Sequence, residues 1–382
     1  MTTDWDVIVI GAGPAGSVAA RQIALLGRRV LLLDKKHFPR RKVCGACLNH
    51  SAVELLEQIG LGDAVRACGG SELTRFEVRA ASRRMCLSLP NGRAVSRTVL
   101  DQRLVEEAIR SGVTFRDGVT ATVGASHGDG RHVEIRDTSP NGSRCSTETT
   151  LSAKVVLVAD GLGHPSLGGL REFTDRPVRN ARVGAGCEVR AWPSNYTAGT
   201  IHMAVGRGGY VGLVCVENGV LNIAAAFDTW LLREAGGPAR AAASVLADAG
   251  FSPIPALSDA DWLGTPALTR TTWPITSERL FVLGDAAGYV EPFTGEGIGW
   301  ALSSAVTIAP LANAACTAWS LSLADTWSNE HGHRVSNQQR ICRTLAGLLR
   351  FPTCVRIAMF LLPWTPRLLR SLVRGVSLRG EG

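Results

Sequence analysis

The sequence predicts an α/β protein: a Rossmann-type domain, an antiparallel β-sheet domain inserted into it, and a basic helical C-terminal tail. Three observations predict it. A strand–glycine turn–helix–strand unit opens the chain. A second glycine-rich strand–helix junction lies near residue 285. Between them, residues 182–227 read as short strands separated by Gly/Asn turns. The 382 residues, 45% hydrophobic and 19% charged, suit roughly two or three domains at ~150 residues each. Such a composition excludes disordered and disulfide-scaffold chains.

Charge and cysteine content narrow the class. The formal charge is +8, and 37 of the 41 basic residues are Arg. Nine of those Arg fall between Arg334 and Gly380, a stretch without Asp or Glu, which leaves the remaining chain at about −1. The basic excess therefore describes a tail, and no nucleic-acid partner is expected. Eight of the ten cysteines are scattered singly, and Cys44-x-x-Cys47 has neither a second such pair nor a spaced His pair, so no metal site is expected. Apolar runs are interrupted by Arg or Pro before the ~18 residues a membrane span needs. The start, Met-Thr-Thr-Asp-Trp-Asp, lacks the basic flank of a signal peptide. A cytoplasmic enzyme is the expectation.

Asp6-Val-Ile-Val-Ile10 is a β-branched run suited to a strand buried on both faces. It runs into Gly11-Ala-Gly13-Pro-Ala15-Gly16, then a helix over residues 17–26 closed by Gly27, then a second buried strand ending in Asp34. Gly11 permits the tight turn, Gly13 lets backbone approach a pyrophosphate, and Gly16 lets helix and strand pack closely. The helix start offers free N–H groups to phosphates, and Asp34 can accept from a ribose diol. This unit alone leaves FAD and NAD(P) both open.

The second junction adds a preference. Arg279-Leu-Phe-Val-Leu-Gly284-Asp285 is a buried strand ending in an acid that can bind a polyol. Pro292-Phe-Thr-Gly-Glu-Gly297-Ile298-Gly then starts an Ala/Leu-rich helix over residues 300–316. Amides of Gly297 and Ile298 can stabilise negative charge on an electron-rich ring. A flavin offers both a polyol chain and such a ring.

With these motifs in order, residues 6 to about 315 resemble flavoproteins of the p-hydroxybenzoate hydroxylase superfamily, in the branch containing geranylgeranyl reductases. The resemblance implies non-covalent FAD, with Gly284-Asp285 at the ribityl chain and Pro292 to Gly297 as the P-x-x-G-x-G segment. Ala159-Asp160-Gly161 matches a middle D-G motif. Arg40-Arg-Lys42-Val-Cys44-Gly45-Ala46-Cys47-Leu48 resembles the segment passing beside the flavin, which makes Lys42, Gly45 and Ala46 candidate contacts along with Ala15. Residues 97–108 resemble an R-x-x-x-D-x-x-L helix, and Arg103 is its candidate cofactor contact; the alternative is an exposed Arg paired with Glu107. The implied organisation is an FAD-binding domain from 1–170 and 273–330, a substrate domain from 171–272, and a tail from 331–382. Only one dinucleotide unit is present, so NAD(P)H is expected as a transient reductant without a domain of its own.

Cys44, Cys47 and Pro292 are the catalytic candidates. The two cysteines read as flavin-proximal thiols, as a redox pair, or as packing residues. Tyr210 loosely matches an aromatic substrate-pocket segment of the geranylgeranyl reductases, but the aromatic and F-P residues expected after it are replaced by Val211-Gly-Leu-Val-Cys215. His50 and His202 read more readily as structural than as substrate contacts. No Trp sits in a W-x-W-x-I-P context, which argues against halogenation. The expected function is an FAD-dependent oxidoreductase of a hydrophobic small molecule (prenyl, polyketide or quinone type), working by double-bond reduction or hydroxylation. The alternatives are a thiol–disulfide oxidoreductase and a non-catalytic flavin-binding protein.

The tail alternates apolar blocks with Arg (residues 345–351, 355–364 and 368–374), and Pro352, Pro363 and Pro366 keep each helix short. This suits either peripheral contact with anionic lipid or packing over the body. Removing residues 345–382 is expected to abolish sedimentation with anionic vesicles at low salt. For the intact chain, about 1 M salt, where the Debye length is ~3 Å, should weaken it strongly. Intact protein that stays in the supernatant assigns the tail to packing.

Overall fold

Trp5–Ile10 lies inside the first sheet, with Val30–Leu33 parallel on one side and Glu148–Val158 parallel on the other. Val7, Ile8, Val9 and residues 155–158 are wholly buried, as expected of β-branched strands covered on both faces. Leu280–Val282 and Thr114–Arg116 extend the parallel set, and a hairpin of Val119–His127 with Gly130–Asp137 joins it antiparallel. The computed structural model describes residues 3–80, 83–138, 148–291, 295–348, 350, 355, 357 and 360.

Three helices pack together on this sheet: Pro14–Leu25, Arg97–Arg110 and Gly297–Thr317. The first can approach the sheet only because of two glycines. A Cβ on Gly16 would stand 1.8 Å from the Gly11 carbonyl oxygen, and one on Gly11 would stand 2.4 Å from the Ala159 carbonyl oxygen. Gly297–Thr317 is the one helix among the described residues long and apolar enough to cross a membrane, which an unbroken-run criterion misses. Here it is a core helix: Ile298, Leu302, Ala305, Ile308 and Ala312 belong to the main hydrophobic cluster.

The second sheet has eight strands in the order 263–267, 183–189, 220–227, 209–216, 200–206, 72–80, 83–94 and 47–48. Its middle matches the strands read from the alternating segment. Two features differ from the sequence expectation. Thr200–Gly206 pairs with Glu72–Ala80 in parallel, so the sheet is not wholly antiparallel. The hairpin of Glu72–Ala80 with Arg83–Ala94 crosses the boundary drawn at residue 170 and builds this sheet, not the first. Its strands interleave buried Leu73, Phe76 and Val78 with charged residues, Glu77 among them buried too, a weak signal beside the continuous apolar runs of the first sheet. Thr229–Ala235 and Pro238–Asp248 lie near one face, with Ala241, Ala242 and Val245 packed against Val211, Leu213 and Ile223. The other face looks toward the first sheet.

Leu321–His331 closes the first sheet's core with Trp327, which is fully buried and donates its indole N–H to the Val282 carbonyl at 3.1 Å. His331, 5% exposed, lies against that indole with ring centroids 5.5 Å apart. Burial pushes its pKa from 6.5 down to about 4. Between those pH values the unfolded chain holds a proton that the fold excludes, so stability is complete above about pH 6.5 and declines as pH falls toward 4. The full effect is about 3 kcal/mol. His331→Gln is expected to flatten the pH dependence of the denaturation midpoint across that window, and an unchanged slope would remove His331 as its cause.

Candidate active site

A cleft runs from the glycine turn to the inner face of the second sheet. Gly13, Ala15, Lys42, Cys44, Gly45, Cys47, Asp285, Gly297 and Ile298 all line it. Gly11, Gly16 and Gly284 stand behind that wall; a Cβ on Gly284 would come 2.8 Å from the Ala15 Cβ. Ala46 is buried with φ +55°, and that left-handed turn lets Gly45 and Cys47 reach the cleft on either side. Asn222 Nδ2 donates to the Cys44 carbonyl at 2.9 Å, tying this loop to the second sheet. Pro292 lies outside the described residues.

A buried ionic chain holds the wall. Asp101, fully buried, accepts from Arg97 Nε at 2.7 Å, Arg97 Nη2 at 2.8 Å and Arg40 Nη1 at 2.9 Å. Arg40 Nη2 donates to Asp34 Oδ2 at 3.1 Å, and Asp34 also accepts from the amides of Ala12 and Lys36. Asp34 thus spends most of its acceptor capacity on protein, which leaves a single lone-pair site for a ribose hydroxyl. Arg97 lines the cleft, and its Nη2 is 3.5 Å from where a Gly13 Cβ would stand. Arg103, the expected cofactor contact, pairs with Glu106 at 3.0 Å and is not among the residues lining the cleft, whereas Arg97, six residues earlier on the same helix, is. Arg97 is visible in the sequence as the i−4 partner of Asp101.

The site fits FAD by its unfilled polar groups. Asp285 lines the cleft, and its carboxylate makes no hydrogen bond to a described residue; burial raises its pKa, while Lys42 and Arg97 oppose that rise. Lys42 is open to the cleft yet enclosed by protein, and burial lowers its pKa. Among the described residues neither N-cap, Gly13 or Glu296, supplies a side-chain hydrogen bond to the helix starts of Pro14–Leu25 and Gly297–Thr317, so both helix ends offer N–H groups and positive dipole to the cleft. Phosphates at the first, a polyol at Asp285 and an electron-rich ring at the second account for each feature.

Cys44 and Cys47 are both free thiols. Cys47 donates its S–H to the Gly45 carbonyl at 3.1 Å, and burial pushes its pKa well up, so it is a thiol and not a ready thiolate nucleophile. Tyr210 lines the cleft. His202 is buried away from it, where its Nε2 accepts from the Thr197 amide at 3.1 Å. His50 pairs with Glu54 at 3.1 Å near the surface. Neither histidine is among the residues lining the cleft. Tyr289 and Glu291 are cleft residues that motif reading missed. Glu291 adjoins the glycine-rich segment, but no spacing rule singles it out.

A Rossmann-type nucleotide site that opens into a second-sheet cleft defines a dinucleotide-cofactor oxidoreductase. Residues 4–197 match the FAD binding domain family. A menaquinone reductase of Mycobacterium tuberculosis is 30% identical over 367 residues, covering 91% of this chain and 84% of the relative. Among solved structures, a geranylgeranyl bacteriochlorophyll reductase-like protein from Thermoplasma acidophilum has a TM-score of 0.74 at 20% identity, covering 91% of this chain and 88% of that one. A p-nitrophenol 4-monooxygenase from Pseudomonas putida reaches 0.78 at 16% identity, covering 98% and 97%. The chain belongs to the FAD binding domain family and is an FAD-dependent oxidoreductase.

Asp285→Ala is expected to weaken FAD binding by about tenfold or more, the value of a hydrogen bond to a charged group. Arg103→Ala should leave it unchanged. Equal FAD affinity in the Asp285 variant and the wild type removes that carboxylate from the cofactor site, as measured by titrating apoprotein with FAD.

Proposed function

We propose that this enzyme reduces a carbon–carbon double bond in a hydrophobic substrate of prenyl or prenylquinone type, with NAD(P)H as the transient reductant. The observation that carries the reading is the floor of the cleft. Alternate residues of three adjacent strands face it: Ile201 and Met203, then Tyr210, Gly212 and Val214, then Ala224 and Ala226. The side-chain period of two puts Gly212, Ala224 and Ala226 on that face, and their small size leaves a broad apolar depression. The M. tuberculosis relative, named for a quinone with an isoprenoid chain, supports a substrate of this shape.

Bound FAD would supply hydride chemistry, and reduction of an alkene would also need a proton at its second carbon. Around the cleft, Cys47, Tyr210 and Tyr289 are held protonated by burial, which raises all three pKa values. The uncapped amides of Gly297 and Ile298 favour negative charge beside them, and the apolar floor excludes water. A prenyl lipid resides in a bilayer, and exposed Ile341, Leu348, Ile357 and Phe360 near the Arg-rich tail support peripheral membrane contact as part of the same proposal.

The test is anaerobic turnover of the FAD-loaded protein with NADPH and a menaquinone. A product heavier by two hydrogens in the isoprenoid chain is expected. A product gaining one oxygen in air, with none formed anaerobically, would replace reduction by hydroxylation.

A further inference from the structure

Glu291 lines the same cleft beyond the flavin-facing wall. Its side chain is 3% exposed, and Oε1 lies 3.5 Å from Arg182 Nη1. The other oxygen, Oε2, is buried with no hydrogen-bond partner among the described residues. Arg182 also lies near other groups: its Nε is 3.4 Å from Asp228 Oδ1 without a hydrogen bond between them, and its guanidinium lies 5.5 Å from the centre of the Tyr210 ring. Arg350 Nη1 meets the same Asp228 oxygen at 3.2 Å. Among the described residues two arginines thus balance two carboxylates, and Arg182 Nε and Nη1, like Glu291 Oε2, complete no hydrogen bond. Unpaired donors and an unpaired acceptor side by side at a cleft wall form a polar patch that a hydroxyl or carbonyl of a bound molecule can satisfy. Tyr210 and Tyr289 line the same cleft, and burial, with a smaller contribution from Glu291, raises both their pKa values.

We infer that Glu291, with Tyr210 and Tyr289, forms a head-group subsite that takes a hydroxyl or keto oxygen at the end of an otherwise apolar substrate. A substrate hydroxyl donates to Glu291 Oε2, and a keto oxygen accepts from a tyrosine hydroxyl. The apolar remainder lies along the floor made by Gly212, Ala224 and Ala226. Glu291 is a specificity-determining residue here: it selects an oxygenated end and orients the chain, with no part in hydride transfer. The assignment rests on the apolar-substrate reading of the cleft and adds the chemistry of one end of that substrate.

The experiment compares two unreactive probes, 2-methyl-1-naphthol and 2-methylnaphthalene, by calorimetric titration of the FAD-loaded protein. The naphthol is expected to bind about tenfold more tightly to the wild type. Glu291→Leu should erase that preference while leaving the affinity for 2-methylnaphthalene and the FAD content unchanged. If the Leu variant fails to retain FAD, Glu291→Gln decides. A neutral amide oxygen is a weaker acceptor than a carboxylate, so its loss should be several-fold and confined to the naphthol. Equal affinity of the wild type for the two probes, or a preference untouched in these variants, overturns the head-group subsite and leaves the apolar cleft standing. Binding of neither probe overturns both.

Discussion

Asp101 is a fully buried carboxylate gripped by two arginines, and the geometry of the site depends on that grip. Arg97 comes from its own helix, while Arg40 reaches in from the loop after the second strand and continues to Asp34. Asp34 in turn takes the Ala12 amide from the glycine turn. Helix, loop, strand and turn are thereby fixed relative to one another through charge-assisted hydrogen bonds in a place where water cannot substitute. Losing one partner from a buried pair costs about 3–5 kcal/mol, because the remaining charge is stranded. The loop so held is the one that carries Lys42, Cys44, Gly45 and Cys47 to the cleft. Cofactor positioning and loop stability are therefore one property.

The second sheet faces the opposite demand, which is to leave space. Its strands bury large residues such as Leu213, Leu221 and Ile223 in the core shared with the neighbouring helices. On the inner face, glycine and alanine alternate with those residues, and strand pairing keeps them in register from one strand to the next. A continuous hollow results without any loss of backbone hydrogen bonding. Polar groups concentrate at the flavin-facing wall and around Glu291, so the cleft has an ionic end, an apolar middle and a further polar patch. An elongated, mostly hydrocarbon ligand with an oxygenated end matches that order.

Much of this was legible in the sequence because it is written in local patterns. Buried strands such as Asp6 to Ile10 are continuous β-branched runs, and both glycine-rich junctions carry their own turn chemistry. The alternating strands from Arg182 to Phe227 announce themselves through period and turns. What was not legible depends on long-range contact. The hairpin 72–94 carries many arginines and pairs across the chain with Thr200–Gly206, so its sheet cannot be read from its own residues. Arg97 and Arg103 both fit a basic position on one helix; only the burial of Asp101 shows which of them turns inward. Glu291 has no periodic or spacing signature, and its significance comes from an oxygen left without a donor.

The account stands on the cleft being a flavin site built from the glycine turn, the Arg40–Cys47 loop and the Gly297 helix start. The most direct measurement is the flavin released when the purified protein is denatured, identified by chromatography and compared with the protein concentration. The account predicts a yellow protein that releases close to one equivalent of intact FAD per chain, with none left covalently attached. A colourless protein whose folded form cannot be reconstituted with added FAD would contradict it.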